Sequence, residues 1–96
     1  MPRYIALLKF TAQGAKNIKK SVTRAHQFDQ LAAKSGVKVE GQYWTMGPHD
    51  GVLILNASSE TRILHLLTSL AALGNVQTQT MQAFVDNEFN AIVKST

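Results

Sequence analysis

The residues best suited to chemistry lie together in the middle of the chain. Tyr43 and Trp44 come just before a turn, and His49 and Asp50 lie within it. A histidine titrates near neutral pH, and an adjacent carboxylate can orient or charge its ring. The two aromatic side chains could form a pocket wall, since each joins an apolar body to a polar tip. This segment is therefore the first candidate for a ligand site.

Two hydroxyl groups later in the chain extend this candidate site. Thr78 and Thr80 share one face of a strand-like segment with Val76. They could bind a polar ligand if their strand reaches the same end of the sheet, although threonine also favours β-structure for its own sake. The full candidate set for ligand binding is Tyr43, Trp44, His49, Asp50, Thr78 and Thr80.

Purely structural roles compete with these assignments. An aspartate in a turn commonly accepts backbone N–H bonds, and adjacent turn residues often point apart. We therefore expect Asp50 to hold the turn and His49 to be exposed. Tyr43 and Trp44 could equally be core or interface aromatics.

Several kinds of chemistry are missing from the sequence. The chain has no cysteine, which excludes disulfides, zinc–thiolate sites and thiol nucleophiles. No two of the three histidines are four residues apart, and no carboxylate completes a metal-binding spacing. Neither a phosphate-binding glycine loop nor a Gly-x-Ser-x-Gly motif is present. We expect no metal and no cofactor, and we assign no catalytic residue.

The strands that must position these side chains follow from hydrophobic periodicity. Residues 3–11 and 51–57 contain apolar runs typical of interior strands. Residues 37–46 alternate as a half-buried strand does, with Gly41 at a bulge or bend. The Gly-Pro turn joins these last two strands into a hairpin. Residues 76–84 are rich in threonine and predict a fourth strand.

Apolar residues spaced by threes and fours predict two long amphipathic helices. The first begins at about Asn17, runs for about five turns and ends at a cap on Gly36. The second follows the N-cap candidates Ser58 and Ser59. Its broad apolar stripe predicts a deeply packed helix, which closes at the Gly-Asn pair before the fourth strand. Asp86 can cap a short helix at the C-terminal end.

The order β-α-β-β-α-β predicts an α+β fold of the ferredoxin-like type. Right-handed crossovers around a central hairpin give a four-stranded antiparallel sheet with both long helices on one face. The short C-terminal helix follows this unit. A length of 96 residues suits one domain, and no linker or repeat divides the chain, so we expect a single domain over residues 1–96.

On the face of the sheet opposite the helices, apolar side chains would be exposed to water unless another surface packs against them. The first and third strands are apolar on both alternating sets, so an apolar surface must face away from the helices. Without a bulge, Trp44 would lie on that face as well. Pairing with a second copy is the simplest cover, because two-fold homodimers dominate soluble oligomers. The C-terminal helix could instead fold over the face within one chain. We expect a homodimer or larger oligomer.

The charge balance restricts the partners. The formal net charge is +4, but half of the cations lie in or next to the first long helix. That distribution is typical of a solvated helix face, so we expect no specific nucleic-acid binding. The apolar runs are too short or too interrupted to span a membrane, and the start lacks a secretory signal pattern. We expect a cytoplasmic protein.

Two stretches of the sequence resemble the GYD domain family of small bacterial and archaeal proteins. They are Tyr-Trp-Thr-Met-Gly-Pro-His-Asp-Gly-Val at 43–52 and Leu-Ala-Ala-Leu-Gly-Asn-Val-Gln-Thr-Gln-Thr at 70–80. Where members of the family usually carry tyrosine before the aspartate, this chain has His49. The resemblance implies a ferredoxin-like fold of the dimeric α/β-barrel type. It implies no reaction, since the family is largely uncharacterised.

Three functions remain in contention. The first is a homo-oligomeric module that binds a small ligand or serves as an interaction or regulatory unit. The second is a cofactor-independent enzyme of the dimeric α/β-barrel type, such as a monooxygenase, isomerase or decyclase. The third is an RNA-binding module of the same element order, but the third strand lacks the aromatic residues on which bases would stack. We favour the first and leave enzymatic activity open.

Overall fold

The computed structural model describes residues 2–96. Its order of elements is the predicted one, with additional short helical segments. The elements are β1 (Arg3–Phe10), α1 (Ala12–Lys16), a 3₁₀ turn (Ile18–Lys20), α2 (Ser21–Lys34), β2 (Val37–Trp44), β3 (Gly51–Ala57), α3 (Glu60–Ala72), β4 (Val76–Ala83) and α4 (Asp86–Val93).

The sheet has four antiparallel strands in the order β2-β3-β1-β4. This arrangement, with helices packed on the sheet, confirms the predicted ferredoxin-like α+β fold. The central strand β1 pairs on one side with β3, where Ala6 lies opposite Leu53. On its other side it pairs with β4, where Ala6 lies opposite Thr80. Directly opposed residues share a face, so this register assigns every strand residue to one side of the sheet.

The core lies between the sheet and the two long helices. Leu55 of β3 and Leu66 of α3 are its largest fully buried side chains. Phe28 and Ala32 supply the contribution of α2. All the buried strand residues belong to the alternating set that faces these helices. The remaining members of the core are Tyr4, Ala6, Val37, Leu53, Ala57, Ile63 and Leu67.

The first long helix differs from the prediction. Instead of one helix from Asn17, the chain forms α1, a 3₁₀ turn and then α2. Ile18 and Val22, predicted on the apolar stripe, are 52% and 56% exposed. A 3₁₀ turn has three residues per turn rather than 3.6, so Ile18 cannot continue the buried face of α2. The amphipathic pattern was right for the later turns of the helix and wrong for its start.

The helix α3 is also less enclosed than its stripe predicts. Ile63, Leu66 and Leu67 are buried, but Leu64 and Leu73 are 64% and 59% exposed. The sheet covers one side of the helix, so Leu64 on another side faces outward, and Leu73 lies just beyond the last helical residue, Ala72. The capping prediction for α3 is confirmed, because Ser59 accepts a hydrogen bond from the backbone N–H of Arg62. The prediction for Asp86 is wrong, because α4 has Val85 as its N-cap and Asp86 as its first residue.

The C-terminal helix does not cover the open face of the sheet. No residue of α4 is buried. The radius of gyration is 14.4 Å, whereas a compact chain of this length has about 12.5 Å. We call residues 84–93 the C-terminal arm. Its exposed apolar residues are Phe84, Val85, Phe89, Ile92 and Val93.

Candidate functional site

A cavity of about 350 Å³ opens between α2, the end of α3 and the sheet. Its sheet wall includes Leu8 and Leu53, which point toward the helices. Phe28 of α2 and Leu70 of α3 form part of the opposite side. Its size is near the lower end of the roughly 300–1,000 Å³ typical of ligand pockets.

A β-bulge turns Trp44 into this cavity. The pairing of β2 with β3 shifts between Val39 and Gly41, as Gly41 predicted. Beyond the shift Trp44 lies opposite Gly51, on the side that faces the helices, and it lines the cavity. The alternation of β2 without a bulge would put Trp44 on the other face. The bulge therefore decides that Trp44 belongs to the cavity wall.

Tyr43 lies at the border between the two faces. It pairs with Val52, which points away from the helices. A Cβ added to Gly41 would lie 3.0 Å from Tyr43 Cε2, so the tyrosine ring covers that glycine on the open side. Tyr43 also borders the cavity. The absence of a side chain at Gly41 makes room for this ring.

Asp50 connects the turn to strand β1. Its backbone N–H donates to the Leu8 carbonyl at 2.8 Å. Its Oδ2 accepts from the Phe10 N–H, also at 2.8 Å. The carboxylate thus accepts a backbone hydrogen bond from a distant strand, and Asp50 also borders the cavity.

His49 is not part of the cavity lining, and its side chain has a different partner from that of Asp50. Its Nε2 lies 3.2 Å from Oε1 of Gln79. Gln79 pairs with Leu7, on the face of the sheet opposite the helices. The adjacent histidine and carboxylate therefore do not form a dyad around one substrate position.

The two threonines face the helices but do not line the cavity. Thr78 lies opposite Leu8 and Thr80 opposite Ala6, as their shared face predicted. Val76, at the start of the same strand, does reach the cavity. Of the six sequence candidates, the structure brings Tyr43, Trp44 and Asp50 to one cavity and leaves the others outside it. Their role in ligand binding stays a prediction.

Polar residues on both the helical and the sheet side of the cavity were not identified from the sequence. Arg24 and Gln27 of α2, Gln42 of β2 and Asn75 before β4 all line it. Arg24 was assigned to a solvated face, yet it is half-buried. Its position four residues before Phe28 places both on the same side of α2. That spacing was the signal that could have identified Arg24.

A cluster of polar side chains lies away from the cavity, where β1, β2 and β3 meet. Glu40 Oε1 accepts from Asn56 Nδ2 at 3.1 Å and from Arg3 Nε at 3.3 Å. The hydrogen bond from Asn56, followed by the hydrogen bond and charge of Arg3, lowers the pKa of Glu40. In the core, burial raises the pKa of Tyr4, and the charge of Glu60 adds to that rise.

Within residues 2–96, no group of three or more histidine and acidic side chains is placed to hold a metal ion. The helices in the same range are all too short or too polar to cross a bilayer.

Comparison with known proteins identifies the family. The profile of the GYD domain matches residues 4–93. The chain belongs to the GYD domain family. A relative from Thermus thermophilus, named glutamine synthetase and cystathionine beta-lyase binding protein, is 33% identical over 84 residues. That alignment covers 86% of this chain and 88% of the relative. No solved structure matched the chain significantly.

Proposed function

We propose that this GYD domain protein is a homo-oligomeric interaction or regulatory module whose cavity holds a small ligand. The observation that carries the self-association is the uncovered apolar face of the sheet. Ile5 and Leu7 of β1 point there, opposite Ile54 and Val52 of β3. Met81 of β4 lies opposite Ile5 and is 48% exposed. We call these five residues the open face.

The solvent-accessible surface area of the chain supports the proposed self-association. The isolated chain exposes 6482 Å². A compact monomer of 10.5 kDa exposes about 5,400 Å². The excess of about 1,000 Å² is comparable to the roughly 800 Å² that each partner buries in a stable interface. A second copy can cover the open face with an identical open face, as two-fold symmetry requires. The C-terminal arm adds further apolar surface to this interface.

The oligomer is tested by light scattering at micromolar concentration. We expect a mass of at least twice 10.5 kDa. Met81→Asp places a charge on the open face and should shift the mass toward the monomer. Leu64→Asp is the matched control, because Leu64 is exposed on α3, away from the open face. A stable monomer mass for the wild-type protein contradicts the proposal.

The proposed partners are glutamine synthetase and cystathionine beta-lyase. The Thermus relative is named for binding glutamine synthetase and cystathionine beta-lyase, and the shared family supports the same kind of role here. The proposal includes a cytoplasmic location. Isothermal titration with these two enzymes from the same organism as the chain tests the partner assignment. We expect binding of at least one enzyme at micromolar concentration. A lack of binding to both would refute the assignment without affecting the oligomer.

The cavity supports the ligand-binding part of the proposal. It places Trp44 and Asp50 beside an apolar interior between sheet and helices. The arrangement lends less support to the alternative of a cofactor-independent enzyme, because His49 contacts Gln79 on the other face. A general base must lie within hydrogen-bond reach of the proton that it removes.

A further inference from the structure

The cavity has one cationic side chain, Arg24, on its wall. Arg24 Nη1 donates to the Asn17 carbonyl at 2.8 Å, and Nη2 donates to Ser21 Oγ at 3.3 Å. Both acceptors are neutral. No acidic residue lies in the first turn of α2, and within residues 2–96 Arg24 forms no ion pair. Arg24 therefore borders the cavity as a half-buried residue whose guanidinium is in ion-pair contact with no carboxylate of the described residues.

The interior next to Arg24 is apolar. Phe28 and Leu31 follow it along the same side of α2, and Phe10 and Leu53 face them from the sheet. Desolvated apolar walls favour a hydrocarbon or aromatic body, whereas the guanidinium favours an anionic group. The two features together describe an amphipathic anion with its charged end at Arg24.

Asp50 restricts the charge of that anion. Its carboxylate also borders the cavity, with Oδ2 held by the Phe10 N–H. The Asp50 carboxylate repels a dianion such as a phosphate monoester more strongly than it repels a monoanion. A carboxylate carries a single charge and matches the planar fork of arginine. The lining therefore favours a monocarboxylate.

We propose that the cavity binds a small apolar molecule that bears one carboxylate, which pairs with Arg24. This inference rests on the small-ligand part of the proposed function and names the ligand class. Trp44 packs against the apolar body of the bound molecule, and Asp50 disfavours ligands with more than one negative charge.

The chain carries its own reporter for this binding. Trp44 is the only tryptophan, it lines the cavity, and it is 51% exposed, so its fluorescence should change when a ligand displaces water. We would titrate the full chain with 3-phenylpropanoate and with 3-phenylpropanamide, which has nearly the same shape but no charge. We expect saturable binding of the carboxylate and about tenfold weaker binding of the amide. Equal affinity for both, or no saturable change with either, overturns the inference.

Substitutions of Arg24 and Lys34, both in α2, test the proposed contact between Arg24 and the ligand carboxylate. Arg24→Gln should weaken binding of 3-phenylpropanoate by about tenfold or more and leave binding of the amide unchanged. Arg24→Lys should retain part of the affinity, because the charge remains while the planar fork is lost. Lys34→Gln is the matched control, since it removes one cation from the far end of α2. An equal loss in Lys34→Gln and Arg24→Gln would refute a specific contact.

Light scattering on the same samples separates this inference from the oligomer. An oligomer that fails to bind 3-phenylpropanoate overturns the ligand assignment and leaves the interaction module intact. A monomer that binds it with the expected charge dependence overturns the homo-oligomer and supports the cavity. Circular dichroism of each variant shows whether a lost signal comes from unfolding, and Arg24→Lys serves as the second variant if Arg24→Gln does not fold.

Discussion

The two faces of the sheet are built from similar residues but have different surroundings. Leu55 and Ile54 are neighbours in β3, yet Leu55 is fully buried beneath the helices while Ile54 lies on the open face. Both sides of β3 are apolar because a strand in this position needs cover on both. The chain supplies cover for one face only. An apolar strand residue therefore indicates that its side chain needs to be covered. It does not indicate whether the same chain or another molecule covers it.

The largest expected effect comes from truncating neighbouring residues on opposite faces. Leu55→Ala should lower the free energy of unfolding by about 2–5 kcal/mol, because it leaves a cavity in a fully packed core. Ile54→Ala should cost less in dilute protein and more as concentration rises, if the proposed oligomer covers Ile54. Urea denaturation at two protein concentrations measures both. A concentration-independent cost for Ile54→Ala contradicts the assigned interface.

A second substitution probes how α1 packs where β1 ends and β4 begins. Gly14 is buried in α1, and a Cβ there would collide with the backbone carbonyl oxygen of Asn75. Gly14→Ala should therefore lower the free energy of unfolding by about 1–3 kcal/mol through overpacking.

Ala15→Ser provides the control for Gly14→Ala, because Ala15 is exposed in the same helix. Thermal melts of both variants give the comparison. Equal stability of Gly14→Ala and the wild type would show that the junction between α1 and β4 can relax.

The next effect separates the adjacent turn residues His49 and Asp50. Asp50→Ala should lower the free energy of unfolding by about 1 kcal/mol, because the Phe10 N–H loses its acceptor. His49→Ala should change stability very little, since its Gln79 contact is exposed. Chemical denaturation of the two variants checks this difference. A larger loss of stability in His49→Ala than in Asp50→Ala would indicate that the His49 side chain contributes more to stability. A tight oligomer interface around His49 would have that effect.

The smallest effect concerns pH. The pKa of Glu40 is lowered in the folded chain, chiefly by Asn56 and then by Arg3. Its stabilising contribution is therefore present above the ordinary pKa of 4.5 and is lost as the pH falls through the folded pKa. Glu40→Gln should lose less stability on acidification than the wild type does. Thermal melts from pH 6 down to about pH 3 give the test; parallel curves for the two proteins would argue against this role.

Local patterns were enough to predict most of the fold. The apolar run at Gly51–Ala57 became β3 with the predicted bounds. Gly36 and Gly74 take positive φ angles of 73° and 82° just after the helices they were expected to end. These predictions succeeded because strand alternation and helix capping depend on residues close in sequence. The prediction for the start of the first long helix was wrong, because a 3₁₀ turn changes the helical phase and no obvious sequence pattern marks it.

The candidate site was predictable only in part. Tyr43, Trp44 and Asp50 reach the cavity, but their alternation alone did not place them there. Arg24 was missed because its charge matched an ordinary solvated helix face. Whether a cation on a helix faces solvent or a cavity depends on the tertiary structure, and the strand residues that line the cavity with Arg24, such as Leu53, are distant from it in the chain.

The sequence by itself determined the order of the elements, the two-sided apolar strands and the lack of thiol chemistry, since these depend on residue type and local spacing. The tertiary structure alone decided which side chains meet. The bulge before Gly41 reverses the face of Trp44, and pairing of β1 with β4 brings Gln79 to the side of the sheet where His49 lies. A shift of one residue in a strand exchanges its faces. For this reason the geometry of the site depends on long-range register, which local sequence patterns do not specify.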